Sequence, residues 1–156
     1  MVLADGEFDV SVGDDGVEVW VTQMGPWANM NTAFIDRENH VVIIIDPYDG
    51  DGWIRALDAE GLKPTHILLT HTHKDHTDGV KCIRNACPEI EVWGHEESVS
   101  PSLLGRIIFR RTDFTHIWNH APNEMVSWFC GSVNLSVIHS PGDSPGHVTL
   151  HGHQVY

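Results

Sequence analysis

Apolar and polar residues alternate over residues 17–21 with the period of a half-buried β-strand. Two further strand-like segments, 31–35 and 41–45, flank a polar stretch at 36–40 and are typical of a hairpin. Residues 41–45 read Val-Val-Ile-Ile-Ile, so every position is apolar and β-branched. Such a run indicates a strand that is covered on both faces. The chain is therefore predicted to begin with a β-sheet.

Helix and strand patterns alternate through the middle of the chain. The spacing of Trp53 and Leu57 predicts a short amphipathic helix that ends near Gly61. A second buried strand is predicted over residues 65–70, and it leads directly into a polar cluster at residues 71–79. The hairpin is thus followed by a βα unit and another strand.

The same alternation continues toward the end of the sequence. The predicted elements are a helix over residues 80–86, a strand over 89–94, a helix over 101–111, a strand over 133–138, a turn-rich loop over 140–146 and a closing strand over 147–156. No internal repeat or low-complexity linker divides the chain. We therefore predict one domain over residues 1–156.

Four potential metal ligands follow the strand at residues 65–70: His71, His73, Asp75 and His76. Imidazole nitrogens and carboxylate oxygens are ligands that Zn²⁺ takes, and a catalytic zinc keeps one position open for water. Positions two apart point the same way in an extended loop, so His71 and His73 can share one ion. Asp75 and His76 are out of phase and can address a second ion. The alternative is a solvated polar loop with Thr70 or Asp75 as a helix cap.

The composition bears on the possible partners, and its histidine content is unusually high. The sequence has 22 acidic and 9 basic residues and a formal net charge of −13, which argues against a nucleic-acid partner. Its apolar runs fall far short of the roughly 20 residues that cross a bilayer, and its start lacks a signal-peptide pattern. We therefore expect a cytoplasmic protein with no membrane partner. The 12 histidines suggest that some of them bind metal or move protons.

Two motifs carry a resemblance to a known family. The segment 71–76, His-Thr-His-Lys-Asp-His, resembles the His-x-His-x-Asp-His signature of the metallo-β-lactamase superfamily. The loop at 140–147, Ser-Pro-Gly-Asp-Ser-Pro-Gly-His, resembles the family's second motif, which ends in a histidine ligand. Asp46 corresponds to the acidic residue that ends an early strand in many members. The resemblance implies an α/β (α+β) fold, as the N-terminal portion of a metallo-β-lactamase-like αββα sandwich.

The resemblance also implies a set of metal ligands. His71, His73 and His147 would form a first site, and Asp75 and His76 would supply part of a second. The bridging aspartate and the last histidine that the family requires have no counterpart in this sequence. We therefore expect a domain that is incomplete at its C-terminus, either a fragment or a chain completed by another copy or partner. The implied cofactor is one or two Zn²⁺ ions, with iron as the alternative.

Among the branches of the family, the motifs most resemble the hydroxyacylglutathione hydrolase (glyoxalase II)-like thioesterases. This branch implies thioester hydrolysis by a metal-bound hydroxide in the complete protein, with Asp75 as the catalytic residue that orients the hydroxide and accepts its proton. One alternative is a persulfide dioxygenase-like enzyme with a single iron, and another is a non-catalytic zinc-binding remnant. We expect a small-molecule substrate, and a homo-oligomer if half a sandwich leaves apolar sheet surface bare. We expect little hydrolysis from the 156-residue chain alone.

Overall fold

Two β-sheets and a layer of helices make up the structure, a computed structural model that describes residues 7–98, 113–142 and 144–152. The seven strands of the larger sheet follow chain order and are β1 (Asp9–Val12), β2 (Glu18–Met24), β3 (Asn29–Asp36), β4 (Val41–Ile45), β5 (His66–Leu68), β6 (Glu91–His95) and β7 (His116–Trp118). The smaller sheet has the order β10-β9-β8 and contains β8 (Met125–Cys130), β9 (Val133–His139) and β10 (Val148–Gly152). The helices are α1 (Gly50–Ala59), α2 (Lys74–Thr77) and α3 (Val80–Ala86), with a 3₁₀ turn at Glu96–Ser98.

The larger sheet changes from antiparallel to parallel at β4. Strands β1 to β4 pair antiparallel, and the predicted hairpin is present as β3 and β4, with Ile35 opposite Val42. Strands β4 to β7 are parallel, with Ile44 opposite Ile67. The loops that follow β4, β5 and β6 therefore leave the same edge of the sheet, where ligands bind in open α/β sheets.

Strand β4 is covered on both faces, as its sequence predicts. Val42 and Ile44 belong to the core beneath α1 and α3, together with Trp53 and Leu57 of α1. Ile43 belongs to a second core, which lies between the two sheets. Helices thus cover one face of the larger sheet and the smaller sheet covers the other, so the layers are helix, sheet and sheet. This arrangement confirms the predicted α/β class and the N-terminal portion of an αββα sandwich.

The observed elements differ from the prediction in a few places. Strand β8 is absent from the prediction because its apolar residues occupy both faces, although only one face is buried and Phe129 is 71% exposed. Strands β1 and β7, which have four and three residues, are also absent from it. The strand predicted over residues 65–70 ends at Leu68, which leaves the next residues to form the polar loop. The helix predicted over residues 101–111 and the last four residues, 153–156, lie outside the described residues.

The outer face of the smaller sheet carries exposed apolar side chains. Met125 and Phe129 of β8 point away from the larger sheet and are 60% and 71% exposed, whereas Trp128 between them is buried among the inter-sheet residues. The homo-oligomer stays a prediction. Across the part of the chain that the structure describes, no helix is both long and apolar enough to cross a bilayer.

The packing of α1 gives a test of the fold. Leu57 is fully buried beneath the larger sheet, so we expect Leu57→Ala to lower the free energy of unfolding by about 2–5 kcal/mol. Urea denaturation followed by circular dichroism measures this loss. The control is Arg55→Ala on the exposed face of the same helix, which should change stability by less than about 0.5 kcal/mol. Equal effects of the two substitutions would contradict the assigned helix face.

Candidate metal centre

The candidate metal ligands meet at the edge of the larger sheet where β4 and β5 end. Asp46 follows β4 directly. His71 and His73 lie in the loop after β5, and His76 lies in the short helix α2 that continues this loop. His147 approaches from the loop between β9 and β10, because the backbone N–H of Val148 donates to the Thr70 carbonyl at 2.8 Å. Three segments that are distant in sequence therefore converge here.

Four imidazole rings surround the centre, and His71 lies in the middle of them. Its ring centroid is 4.6 Å from that of His73 and 4.2 Å from that of His76. The ring centroid of His147 lies 5.1 Å from that of His71. His71 is buried, whereas His73 is exposed. The burial of His71 and the convergence of the rings favour a metal site over a solvated polar loop.

Hydrogen bonds to the Asp46 carboxylate hold the loop that follows β5. Its backbone lies in the left-handed region (φ 49°), which aspartate adopts more readily than most residues. Its carboxylate accepts from the Thr70 backbone N–H at 2.8 Å and from the Thr70 hydroxyl at 2.5 Å. The same carboxylate accepts from Nδ1 of His76 at 3.1 Å. A single buried side chain thus fixes both the start of the loop and one of its histidines.

The hydroxyl of Thr70 determines the tautomer of His71. Because this hydroxyl donates its proton to Asp46, it can only accept from Nδ1–H of His71, which lies 2.9 Å away. The Nε2 lone pair of His71 is then available to a metal ion, and such hydrogen bonds commonly orient metal-bound histidines. Burial, together with the nearby His76 ring, lowers the pKa of His71 to about 4. His71 is therefore neutral at neutral pH, as a metal ligand must be.

Asp75 and His76 form a pair beside His71. Oδ2 of Asp75 lies 3.4 Å from Nε2 of His76 and accepts from the Asn29 side-chain amide at 3.0 Å. Burial by itself raises the pKa of Asp75, but the Asn29 hydrogen bond and the charge of His76 outweigh it and leave the pKa below its usual value. The hydrogen bond to Asp46 raises the pKa of His76. Asp75 is therefore ionised at neutral pH.

The loop that carries His147 is held from both sides. Nδ1 of His147 lies 3.2 Å from the Ser140 hydroxyl. The Ser98 hydroxyl donates to the Gly146 carbonyl at 2.8 Å. A Cβ on Gly146 would lie 1.9 Å from the backbone nitrogen of Ser98, so only glycine permits this close approach. The glycine before His147 thus seats the loop against the 3₁₀ turn.

All five predicted site residues lie in this region, but the closest group of donor atoms differs from the predicted first site. Within residues 7–98, 113–142 and 144–152, only Asp46, His71 and His76 offer donor atoms that all lie within 4.8 Å of one another. Bringing His71, His73 and His147 onto one ion requires ring rotations, which the exposure of His73 permits. The rings are also not divided into the two predicted metal sites, because the His71 ring is as near to the ring of His76 as to that of His73.

Sequence reasoning missed the contacts of Asp46, Thr70 and Asn29. Asp46 was noted only as the residue that ends a strand. The one available signal was its place at the end of a fully buried strand, next in the sheet to the strand that carries the histidine motif. Thr70 and Asn29 offered no comparable signal.

Comparison with known proteins places this geometry in a family. No family model matches the chain. The chain is 30% identical over 119 residues to the hydroxyacylglutathione hydrolase of Aeromonas salmonicida (strain A449), in a match that covers 76% of this chain and 41% of that protein. The B3 metallo-β-lactamase BLEG-1 has a similar structure, with a TM-score of 0.67 and 29% identity over 86% of this chain and 66% of that one. The chain belongs to the metallo-β-lactamase superfamily.

Within this superfamily, the first curated relatives belong to one branch. They are hydroxyacylglutathione hydrolases, as the two sequence motifs imply. A protein solved in a di-iron-bound form shares the metallo-β-lactamase fold with a TM-score of 0.61 and 25% identity, over 85% of this chain and 66% of that chain. The chain spans about two fifths of the length of the curated relatives that it matches, 41% in the first case.

The lowered pKa of His71 predicts how the stability of the metal-free chain depends on pH. An unfolded histidine takes up its proton near pH 6.5, whereas folded His71 does so at about 4. Between these values the unfolded chain binds more protons, so stability is lost as the pH falls from about 6.5 to about 4. We expect His71→Gln to lose less of its Tm than the parent between about pH 7.5 and about pH 5. Thermal melts measure both losses.

The matched control is His151→Gln, because His151 is exposed on β10 and is none of the residues of the candidate metal centre. This variant should follow the parent at both pH values. Equal losses of Tm in the parent and in His71→Gln would contradict the prediction.

Proposed function

We propose that this chain is the metal-binding portion of a metal-dependent hydrolase that cleaves thioesters of the hydroxyacylglutathione type. In this proposal Zn²⁺ is held by His71, His73 and His147, and a second ion is held in part by Asp75 and His76. The partner is a small-molecule substrate, and the compartment is the cytoplasm, where the three free cysteines remain reduced.

The fixed tautomer of His71 is the observation that carries the proposal. Nδ1–H of this buried imidazole donates a hydrogen bond to Thr70. The lone pair of its other nitrogen, Nε2, is therefore available next to the neighbouring rings. Three more histidines and two carboxylates stand around it, which is a donor set suited to zinc. Without a cation, this number of converging ligand groups has no evident purpose.

Each residue of the centre has a role in the proposed reaction. When bound, zinc lowers the pKa of a water ligand and polarises the carbonyl of the substrate. Asp75 is ionised and held by Asn29, so it can orient the attacking water and accept its proton. Asp46 and Thr70 position His71 and His76 and have no direct part in bond breaking.

The choice of a thioester rests on the relatives. The Aeromonas salmonicida enzyme that this chain resembles is named a hydroxyacylglutathione hydrolase, and the two are 30% identical over 119 residues. BLEG-1 is named a B3 metallo-β-lactamase, so the fold by itself does not select the substrate. The sequence relatives therefore favour a thioester over a β-lactam.

An iron-dependent enzyme is the second candidate. It is favoured by the similar structure solved in a di-iron-bound form, and imidazole and carboxylate ligands suit iron as well as zinc. Metal analysis of the protein purified from its native host discriminates between the two ions. Oxygen consumption with a persulfide substrate would favour a dioxygenase, and thioester cleavage without oxygen would favour the hydrolase.

The Thr70 hydroxyl gives a test of the metal site that does not depend on turnover. We expect Thr70→Val, which keeps the shape of the side chain, to weaken zinc binding by about 10–100-fold, because His71 loses the acceptor that fixes its tautomer. Competition with a chelating dye measures the affinity. The control is Thr22→Val on β2, whose buried hydroxyl donates to the Glu7 carbonyl and contacts none of the proposed ligands. Unchanged affinity in Thr70→Val would refute the assigned role of this hydroxyl.

The catalytic role of Asp75 predicts a separate effect on turnover. In the protein as its native gene encodes it, we expect S-lactoylglutathione hydrolysis with a kcat within the usual range of about 1 to 10³ per second. Asp75→Asn should lower kcat by about 10²–10⁴-fold. Steady-state kinetics with S-lactoylglutathione and a chromogenic β-lactam measure both. Turnover of the β-lactam without turnover of the thioester would overturn the proposed substrate class.

A further inference from the structure

Two fully buried histidines that have no part in the proposed reaction lie next to the loop at residues 140–147, which we call the His147 loop. His95 ends β6 and His139 ends β9, and the two residues are 1% and 0% exposed. Their rings are stacked, with centroids 3.8 Å apart and 21° between the ring planes. Apolar residues occupy such positions more often than histidine does. The hydrogen bonds of the two rings indicate what the imidazoles contribute besides packing.

His95 connects the end of β6 to the turn that follows it. Its Nδ1 accepts from the backbone N–H of Glu97 at 3.2 Å, so the ring proton lies on Nε2. This Nε2–H donates to the His120 carbonyl at 2.9 Å. Both nitrogens of the neutral ring therefore have partners, and the ring is held in one orientation.

His139 reaches the backbone of the His147 loop. Its Nε2 lies 2.8 Å from the carbonyl oxygen of Pro145, which can only accept a hydrogen bond, so Nε2 carries the proton. The Glu97 carboxylate lies 4.0 Å from the same nitrogen, which is too far for a hydrogen bond. The His139 ring therefore ties the end of β9 to the residue two positions before His147.

The other nitrogen of His139 shows that packing alone does not explain this residue. Nδ1 is buried and has no hydrogen-bond partner among the residues that the structure describes. A buried acceptor without a partner lowers stability, and an apolar side chain would avoid this loss. What the imidazole contributes is therefore the hydrogen bond from Nε2 to the His147 loop.

Ser98 joins the His147 loop to the loop that follows β5. Its hydroxyl donates at 2.8 Å to the carbonyl of Gly146, the residue directly before His147. Its own carbonyl accepts from the hydroxyl of Thr72, which lies between two of the predicted ligands. Ser98 is 4% exposed and ends the 3₁₀ turn that begins after His95. One buried serine thus contacts both loops that carry the predicted ligands of the first site.

We propose that His95, Ser98 and His139 are positioning residues for the first metal site. They hold His147 beside the loop that follows β5, and this inference rests on the proposed function, in which His147 is a zinc ligand. His139 and Ser98 act on His147 through the backbone of its loop, and His95 supports His139 through the stacked rings. A ligand that is already held in place loses less conformational entropy when the ion binds, so zinc affinity depends on these contacts.

A matched pair of substitutions at His139 tests the proposal in the 156-residue chain. Glutamine and methionine are similar in length, but only the amide of glutamine can donate to the Pro145 carbonyl. We expect His139→Met to weaken zinc binding by about 10–100-fold, as the loss of residues that orient metal ligands commonly does. His139→Gln should restore much of the affinity. Competition with a chelating dye measures both, and equal affinities in the two folded variants would overturn the proposal.

A double-mutant cycle separates the positioning of His147 from a general loss of structure. Because His139 acts through His147, His139→Met should have little effect on zinc affinity in a His147→Ala background. The same loss of affinity in both backgrounds would overturn the inference and leave the proposed function intact. Zinc affinity that His147→Ala leaves unchanged would contradict the ligand role of His147 in the proposed function, and the inference would fail with it.

Ser98→Ala tests the same proposal if His139→Met fails to fold. It removes one hydroxyl and leaves the backbone contacts of Ser98 in place. We expect it to weaken zinc binding in the parent and to have little effect in the His147→Ala background. The control is Ser136→Ala, which changes a half-buried serine of β9 that takes no part in these contacts, and it should match the parent. Parent affinity in Ser98→Ala would overturn the role of Ser98.

The ring protons give a readout that does not depend on metal. In the metal-free chain, nitrogen–proton correlation spectra at neutral pH should show the proton of His139 on Nε2, with the signals assigned by their loss in His139→Gln. A proton on Nδ1 instead would contradict the hydrogen bond to Pro145 and overturn the proposal.

Discussion

The buried carboxylate of Asp46 is the interaction on which the candidate metal centre depends. Strand β4 is covered on both faces, so the chain leaves it at a fixed point, and the left-handed backbone of Asp46 turns the carboxylate toward the next loop. This carboxylate accepts a hydrogen bond from the Thr70 hydroxyl, and Nδ1–H of His71 then donates a hydrogen bond to the hydroxyl oxygen. The sheet therefore determines which nitrogen of a distant imidazole is free. The hydrogen bonds that link Asp46 through Thr70 to His71 fix both the position of the His71 ring and the nitrogen that carries its proton.

Periodicity predicted the elements that are buried on a definite face, because burial is what produces the pattern. Strand β4 and helix α3 were predicted with their observed bounds, 41–45 and 80–86. Strand β8 was not predicted, since its outer face carries apolar residues that remain exposed. The histidine motif located the candidate site because its ligand types lie close together in the sequence.

The contacts that give the site its chemistry could not be predicted in the same way. The role of Asp46 depends on a left-handed backbone and on a partner 24 positions away, Thr70. The contact of His66 with Glu91 depends on strand register, which places the two residues opposite each other across 25 positions. A threonine that precedes a histidine has no meaning in sequence until the acceptor of its hydroxyl is known. Such information lies in the order of the strands and in hydrogen-bond direction, neither of which leaves a periodic pattern.

The seating of the His147 loop has a consequence for the order in which the protein folds. Ser98 and Gly146 are 48 positions apart, and their backbones must come into direct contact before His147 can face His71. Contacts of such large sequence separation close slowly, because the entropy of the intervening loop is lost before the contact is gained. The histidines at residues 71–76, in contrast, become neighbours as soon as one local loop forms. A metal ion could therefore be captured first by the early histidines alone, and acquisition of His147 as a ligand would mark the completion of the native topology.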